Sequence, residues 1–135
     1  MINEEEIEIL YNIKYDYAGW KISKKAIELY KLRNNITEFE LDFCCRHDPI
    51  LVQIYKELGD DFDDKSSITK IKKILKKYEN YYYIKQDCGK ENIRIDKTKY
   101  KLDNIYNKIK EILQSNNDNN IKINEIKQFI SAFDM

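Results

Sequence analysis

The sequence predicts an α+β fold: a small, mostly antiparallel sheet with helices packed on one face, then a helical C-terminal extension. Three observations carry this. Short segments of polar–apolar alternation sit between segments of helical period. The helical segments bring their own start and stop residues. The last quarter is a long amphipathic stripe that follows a core-like stretch of mixed pattern. A chain of 135 residues is one ordinary domain, long enough for a single core. The expected division is residues 1–100 as the α+β core and 101–135 as an extension packed on that core or on a partner.

The elements follow in order. Ile7, Ile9, Tyr11 and Ile13 alternate with mostly polar neighbours, which predicts a strand from Ile7 to Tyr15. The chain then turns at Gly19, and Gly19-Trp20 reads as a structural hinge. Ser23 suits a helix N-cap, with Ala26, Ile27, Leu29, Tyr30 and Leu32 on a helix ending near Asn34-Asn35. Phe39, Leu41 and Phe43 alternate with Glu40 and Asp42, a second strand. Asp48 can cap the next helix, Pro49 suits its first position, and Gly59 suits its exit. Between them Leu51, Val52, Tyr55 and Leu58 share one face.

Asp60, Asp61, Asp63 and Asp64 read as an acidic loop. Ile68, Ile71, Ile74, Leu75 and Tyr78 fit a helical period better than a strand period. Tyr81 to Ile84 is strand-like, since aromatic and β-branched residues suit a pleated surface. Gly89 marks a turn and Asn92 to Ile95 a further short strand. Leu102, Ile105, Tyr106, Ile109, Ile112 and Leu113 define a helix by their spacing. Ser115 to Asn120 reads as a polar linker. Asn124 reads as the cap of a last helix carrying Ile126, Phe129, Ile130 and Phe133.

Composition excludes some function classes. Lysine plus arginine and aspartate plus glutamate are both 24, so the formal net charge is zero. A neutral chain has no global charge with which to bind nucleic acid nonspecifically. It also has little colloidal repulsion, which leaves self-association open. The hydrophobic fraction of 42% and only three glycines argue against wholesale disorder. The bias toward Ile, Lys, Asn and Tyr is that of A/T-rich codons, which accounts for much of the lysine. Three cysteines, an acidic start without a basic leader and no long apolar run point to a reducing cytoplasm and no membrane.

Four groups of residues invite a functional reading. Arg46, His47 and Asp48 stand at a helix N-terminus, where an anion or a proton transfer is favoured. The stronger, structural alternative is that Asp48 caps, Arg46 pairs with an acid and His47 is exposed. Lys70, Lys72, Lys73, Lys76 and Lys77, with Tyr78, Tyr81, Tyr82 and Tyr83, combine cations and aromatics as single-strand binders do. A solvated face over core tyrosines is the stronger reading there. Cys44, Cys45, His47 and Cys88 offer zinc ligands, but adjacent cysteines on a strand diverge and no C-x-x-C pair is present. No metal or cofactor is therefore expected. The stripe Leu102, Ile105, Ile109, Ile112 and Leu113 suits either a partner helix or docking on its own sheet.

Three patches resemble a small family of phage, bacterial and giant-virus proteins. Tyr17-Ala18-Gly19-Trp20-Lys21-Ile22-Ser23 is similar to that family's Y-G-G-F-G-L-S. Arg46, Asp48, Pro49, Leu51, Val52, Glu57, Leu58 and Gly59 are similar to its R-x-D-P-x-L-V…E-L-G block. Tyr82, Ile84, Gly89, Glu91 and Ile93 are similar to its Y-E-I-x-x-Y-D-G-x-E-x-I ending. The likeness covers roughly residues 11 to 100. The family's second glycine is Ala18 here, its Y-D-G is Asp87-Cys88-Gly89, and its closing H-R pair is replaced within Lys97-Thr98-Lys99-Tyr100. The resemblance implies a strand rather than a helix over Lys70 to Lys77, and a strand is the expectation adopted. It implies no activity.

The function expected from all of this is a non-enzymatic accessory protein of a virus or phage-like element. It would act in the host cytoplasm by binding a protein partner or by self-association. A single-stranded nucleic-acid or RNA-binding module using Lys70 to Tyr83 is the first alternative. A small hydrolase centred on Arg46, His47 and Asp48 is the second.

Overall fold

The computed structural model describes residues 4–15, 18–41 and 46–133. The chain forms two compact units that divide between Ile95 and Asp96. The first is α+β. It holds β1 (Glu6–Asn12), α1 (Lys24–Asn34), α2 (Pro49–Leu58), β2 (Thr69–Leu75), β3 (Tyr82–Asp87) and β4 (Lys90–Ile95). The second is a pair of helices, α3 (Lys97–Leu113) and α4 (Asn119–Phe133).

The expected single sheet is in fact two antiparallel ribbons. β1 pairs with β2 from Glu6 opposite Leu75 to Asn12 opposite Thr69. β3 pairs with β4 as a hairpin from Tyr82 opposite Ile95 to Asp87 opposite Lys90. Cys88 and Gly89 both have positive φ, 54° and 87°, the conformation a two-residue hairpin turn demands.

The β1–β2 ribbon has an apolar cluster on each face. Leu10 and Ile71 join Trp20, Ile22, Ala26, Leu51, Val52, Ile54 and Phe62 on the helix side. Ile9 and Ile74 join Ile93 of the hairpin on the other. This arrangement explains the misleading spacing of Ile71 and Ile74. In a strand they point to opposite faces, and because both faces are buried, both positions are apolar. Thr69–Leu75 is therefore a strand, and the helical period was a by-product of two-sided burial.

The helix ends follow the sequence signals. The Ser23 hydroxyl accepts from the Ala26 N–H at 3.1 Å, and Asn35 closes α1 in the left-handed region. The Asp48 carboxylate accepts from the Ile50 N–H at 2.9 Å, and Gly59 ends α2 with φ 56°. The acidic segment after Gly59 is a short 3-10 turn, Gly59–Phe62, that drives Phe62 to complete burial.

Several expectations need correction. Phe39 to Leu41 forms no strand, although Phe39 and Leu41 pack on the helix-side cluster; Phe43 lies outside the described residues. β1 stops at Asn12, because Asn12 turns its side chain inward to serve neighbouring backbone. Gly19-Trp20 is anchored rather than hinge-like, with Trp20 buried. The last helix starts at Asn119, five residues before Asn124, because Asp118 caps it by accepting from the Ile121 N–H at 2.9 Å.

Candidate functional site

Arg46 is the centre of the core unit. Its Nη1 and Nη2 donate to the two oxygens of Glu91 at 2.6 and 2.8 Å, a bidentate pair. The guanidinium carbon lies 3.8 Å from the centroid of the Trp20 ring, a stacked cation–π contact. Glu91 is 2% exposed and also accepts from the Asn12 N–H at 2.8 Å. The outer edge of β1 is closed by the same residues. Leu10 N–H donates to the Arg46 carbonyl at 2.9 Å, and Asn12 N–H finds the Glu91 carboxylate. An unpaired strand edge would otherwise face solvent or another chain.

The polar chain continues inward. Trp20 Nε1 donates to the Thr69 hydroxyl at 2.9 Å, and that hydroxyl donates in turn to Asp63. Thr69 N–H donates to the other Asp63 oxygen at 2.9 Å. Burial raises the Asp63 carboxyl above its ordinary range, and the two Thr69 hydrogen bonds oppose that without overcoming it. Asn12, fully buried, ties three segments. Its side-chain oxygen accepts from Ile68 N–H at 2.9 Å and from Lys14 N–H at 3.1 Å, and its amide donates to the Gly89 carbonyl at 3.2 Å.

Arg46, His47 and Asp48, adjacent in sequence, diverge in space. Arg46 turns to Glu91 and Trp20. His47 Nδ1 lies 2.6 Å from the Tyr82 hydroxyl, with the rings edge to face at 5.4 Å. Asp48 caps α2 with one oxygen and accepts from the Tyr30 hydroxyl at 2.6 Å with the other. The three side chains thus engage different partners, Arg46 with Glu91 and Trp20, His47 with Tyr82 and Asp48 with Tyr30.

The lysine-rich segment is divided by the strand. Lys70 stands opposite Tyr11, and Lys73 on the other face stands opposite Glu8. Lys72 donates to the Ile93 carbonyl at 3.3 Å, which covers part of the hairpin. Lys76 pairs with Glu5 at 3.3 Å, and Lys77 lies over the Tyr78 ring at 5.2 Å. Tyr81 is half-buried, whereas Tyr83 is exposed opposite Arg94 in the hairpin.

A different basic surface forms where sequence reasoning had placed none. A groove of about 570 Å³ is lined by Tyr11, Ile13 and Tyr15 on one side and by Lys85, Lys90 and Arg94 of the hairpin among others on the other. Asp87, Glu91 and Asn92 complete its lining. The Lys90 amine lies 5.8 Å from the Tyr15 ring centroid. No sequence run marks this groove, because its cations alternate along β3 and β4 with inward-facing residues.

Among the described residues no group of three or more His, Cys, Asp or Glu is placed to hold a metal ion. Cys88 is exposed at the hairpin turn, and Cys44 and Cys45 lie outside the described residues. No described helix is long and apolar enough to cross a membrane.

In the helical unit Ile112 is buried and Ile105 and Ile109 are half-buried. Leu102 and Leu113, the ends of the expected stripe, are exposed. No family model matches this chain, and neither a curated protein nor a solved structure does.

Proposed function

We propose that the protein is a non-enzymatic interaction module that associates with a second copy of itself through its helical extension. One observation carries this. The two helices leave Leu102, Tyr106, Leu113, Ile121, Ile123 and Ile130 between 45% and 65% exposed. By their spacing Leu102, Tyr106 and Leu113 share one face of α3, and Ile123 and Ile130 share one face of α4, and exposed apolar faces of this kind are what interaction surfaces present. A second copy is favoured by charge: residues 96–135 carry seven lysines and six acidic residues, so the extension is near neutral and selects no partner of one sign. Two copies can bury the same face on each other about a two-fold axis.

The proposed kinship with the phage, bacterial and giant-virus family is supported by where its patches meet. Trp20, Arg46 and Glu91 come one from each of the three similar segments and form the clamp described above. An accessory protein of such an element, working in the host cytoplasm, is the setting this implies. The hydrolase reading has no comparable support, since its three residues serve three separate structural partners.

Light scattering coupled to size-exclusion chromatography is the test. The expected mass at micromolar concentration is that of two chains, falling to one chain in Tyr106→Glu/Leu113→Glu. A folded monomer throughout the micromolar range would reject the reading.

A further inference from the structure

We propose that the groove between the end of β1 and the β3–β4 hairpin grips a single strand of nucleic acid. All of the residues that line it belong to the α+β unit.

Charge is the first argument. Lys85, Lys90 and Arg94 line the groove, and Lys70 stands opposite Tyr11 on the adjoining ribbon. Two carboxylates also line it. Glu91 is already neutralised by the bidentate contact from Arg46, which leaves Asp87 as the other carboxylate among the described lining residues. The chain as a whole is neutral, so this local surplus is assembled by the fold from three strands. Such a surplus selects a phosphate backbone locally without making the whole surface sticky.

Aromatic placement is the second. Tyr15 is 63% exposed at the groove, and Tyr83 is 52% exposed opposite Arg94 on the outer hairpin face. Exposed tyrosines beside cations are stacking platforms for unpaired bases. A duplex hides its base faces, and Asp and Glu side chains have no aromatic face to stack, so a single strand uses both features of the site. The groove volume of about 570 Å³ falls within the usual range of small-ligand sites, which is the scale of a nucleotide unit. Two lysines of the neighbouring segment are engaged elsewhere, Lys72 with the Ile93 carbonyl and Lys76 with Glu5.

The test is fluorescence anisotropy of labelled oligothymidylate and oligouridylate with the full chain, alongside a duplex of equal length and polyglutamate. Either single strand should bind, with a slope of log affinity against log salt of about −2, as expected for some three phosphate contacts. Lys85→Glu/Lys90→Glu/Arg94→Glu should remove that binding, and the single Lys90→Ala should weaken it and flatten the slope. Tyr15→Ala should weaken it by about tenfold with the salt slope unchanged, the signature of a lost stacking platform. Lys24→Glu/Lys31→Glu on α1 should bind as wild type. The proposal is overturned if neither single strand binds, if duplex or polyglutamate binds as tightly, or if Lys90→Ala and Tyr15→Ala bind as wild type.

Discussion

Replacing Arg46 with methionine tests the clamp that joins β1, the α2 entry and the hairpin. Methionine keeps much of the aliphatic stem and removes only the charge and the donors. Glu91 would then be a buried carboxylate with the Asn12 N–H at 2.8 Å and the Gln86 amide at 3.4 Å as its remaining partners. Breaking a buried ion pair from one side costs about 3–5 kcal/mol, and losing the stacked contact on Trp20 adds about 0.5–2 kcal/mol. A loss of about 4 kcal/mol is a large share of the roughly 5–15 kcal/mol that holds a domain folded. Trp20 is the only tryptophan of the chain and touches Arg46, so its fluorescence during urea unfolding reports on this unit directly. Glu91→Leu should cost less than Arg46→Met, because the Arg46 side chain retains 19% exposure and can reach water, whereas Glu91 retains none. The double variant Arg46→Met/Glu91→Leu should be more stable than Arg46→Met, since it leaves no stranded carboxylate. Wild-type stability in Arg46→Met, or strictly additive losses in the double variant, would refute the clamp.

Further expectations concern neighbouring contacts. Asp48→Ala should cost about 1–3 kcal/mol in urea unfolding, because it removes the α2 cap and the Tyr30 hydrogen bond together, and a wild-type midpoint would refute the cap. Phe62→Ala should cost about 3–5 kcal/mol, since the ring is fully buried and packs edge to face on Tyr55; a midpoint near wild type would place Phe62 at the surface. Asp64 shows the opposite pH behaviour to Asp63. Burial raises its carboxyl, but the Ser66 hydrogen bonds and the nearby Lys21 and Lys14 outweigh that and hold it below its ordinary range. Its contribution is therefore present above the ordinary carboxylate range and lost as pH falls through its folded value. Asp63 is raised, so its ionisation costs stability at neutral pH and that cost is relieved as pH falls through its folded value. Stability measured from neutral to acidic pH should accordingly fall less steeply in Asp64→Asn than in wild type, and an identical slope would remove Asp64 from the acid response.

Local chemistry was legible in the sequence wherever the cause is local. Ser23, Asp48, Pro49 and Gly59 mark helix ends because capping depends on residues within one turn. The stripe from Leu102 to Leu113 declares a helix because its period is unbroken. The α+β class follows from the mixture of periods. Contacts across long separations decided the rest. Asn12 and Glu91 are 79 residues apart, and nothing around Glu91 signals that it is buried and bound to Arg46. Phe62 sits among aspartates and reads as loop, yet the turn after Gly59 buries it completely. Lys70 to Lys77 reads as one basic patch, but strand alternation sends its side chains to opposite faces, while Lys85, Lys90 and Arg94 gather into a groove. A sequence fixes which residues can cap, turn or alternate, because those depend on backbone geometry over a few positions. Which faces become buried, which charges meet and where a groove opens depend on how distant segments pack, and that is settled only when β1 pairs with β2 and Arg46 closes on Glu91.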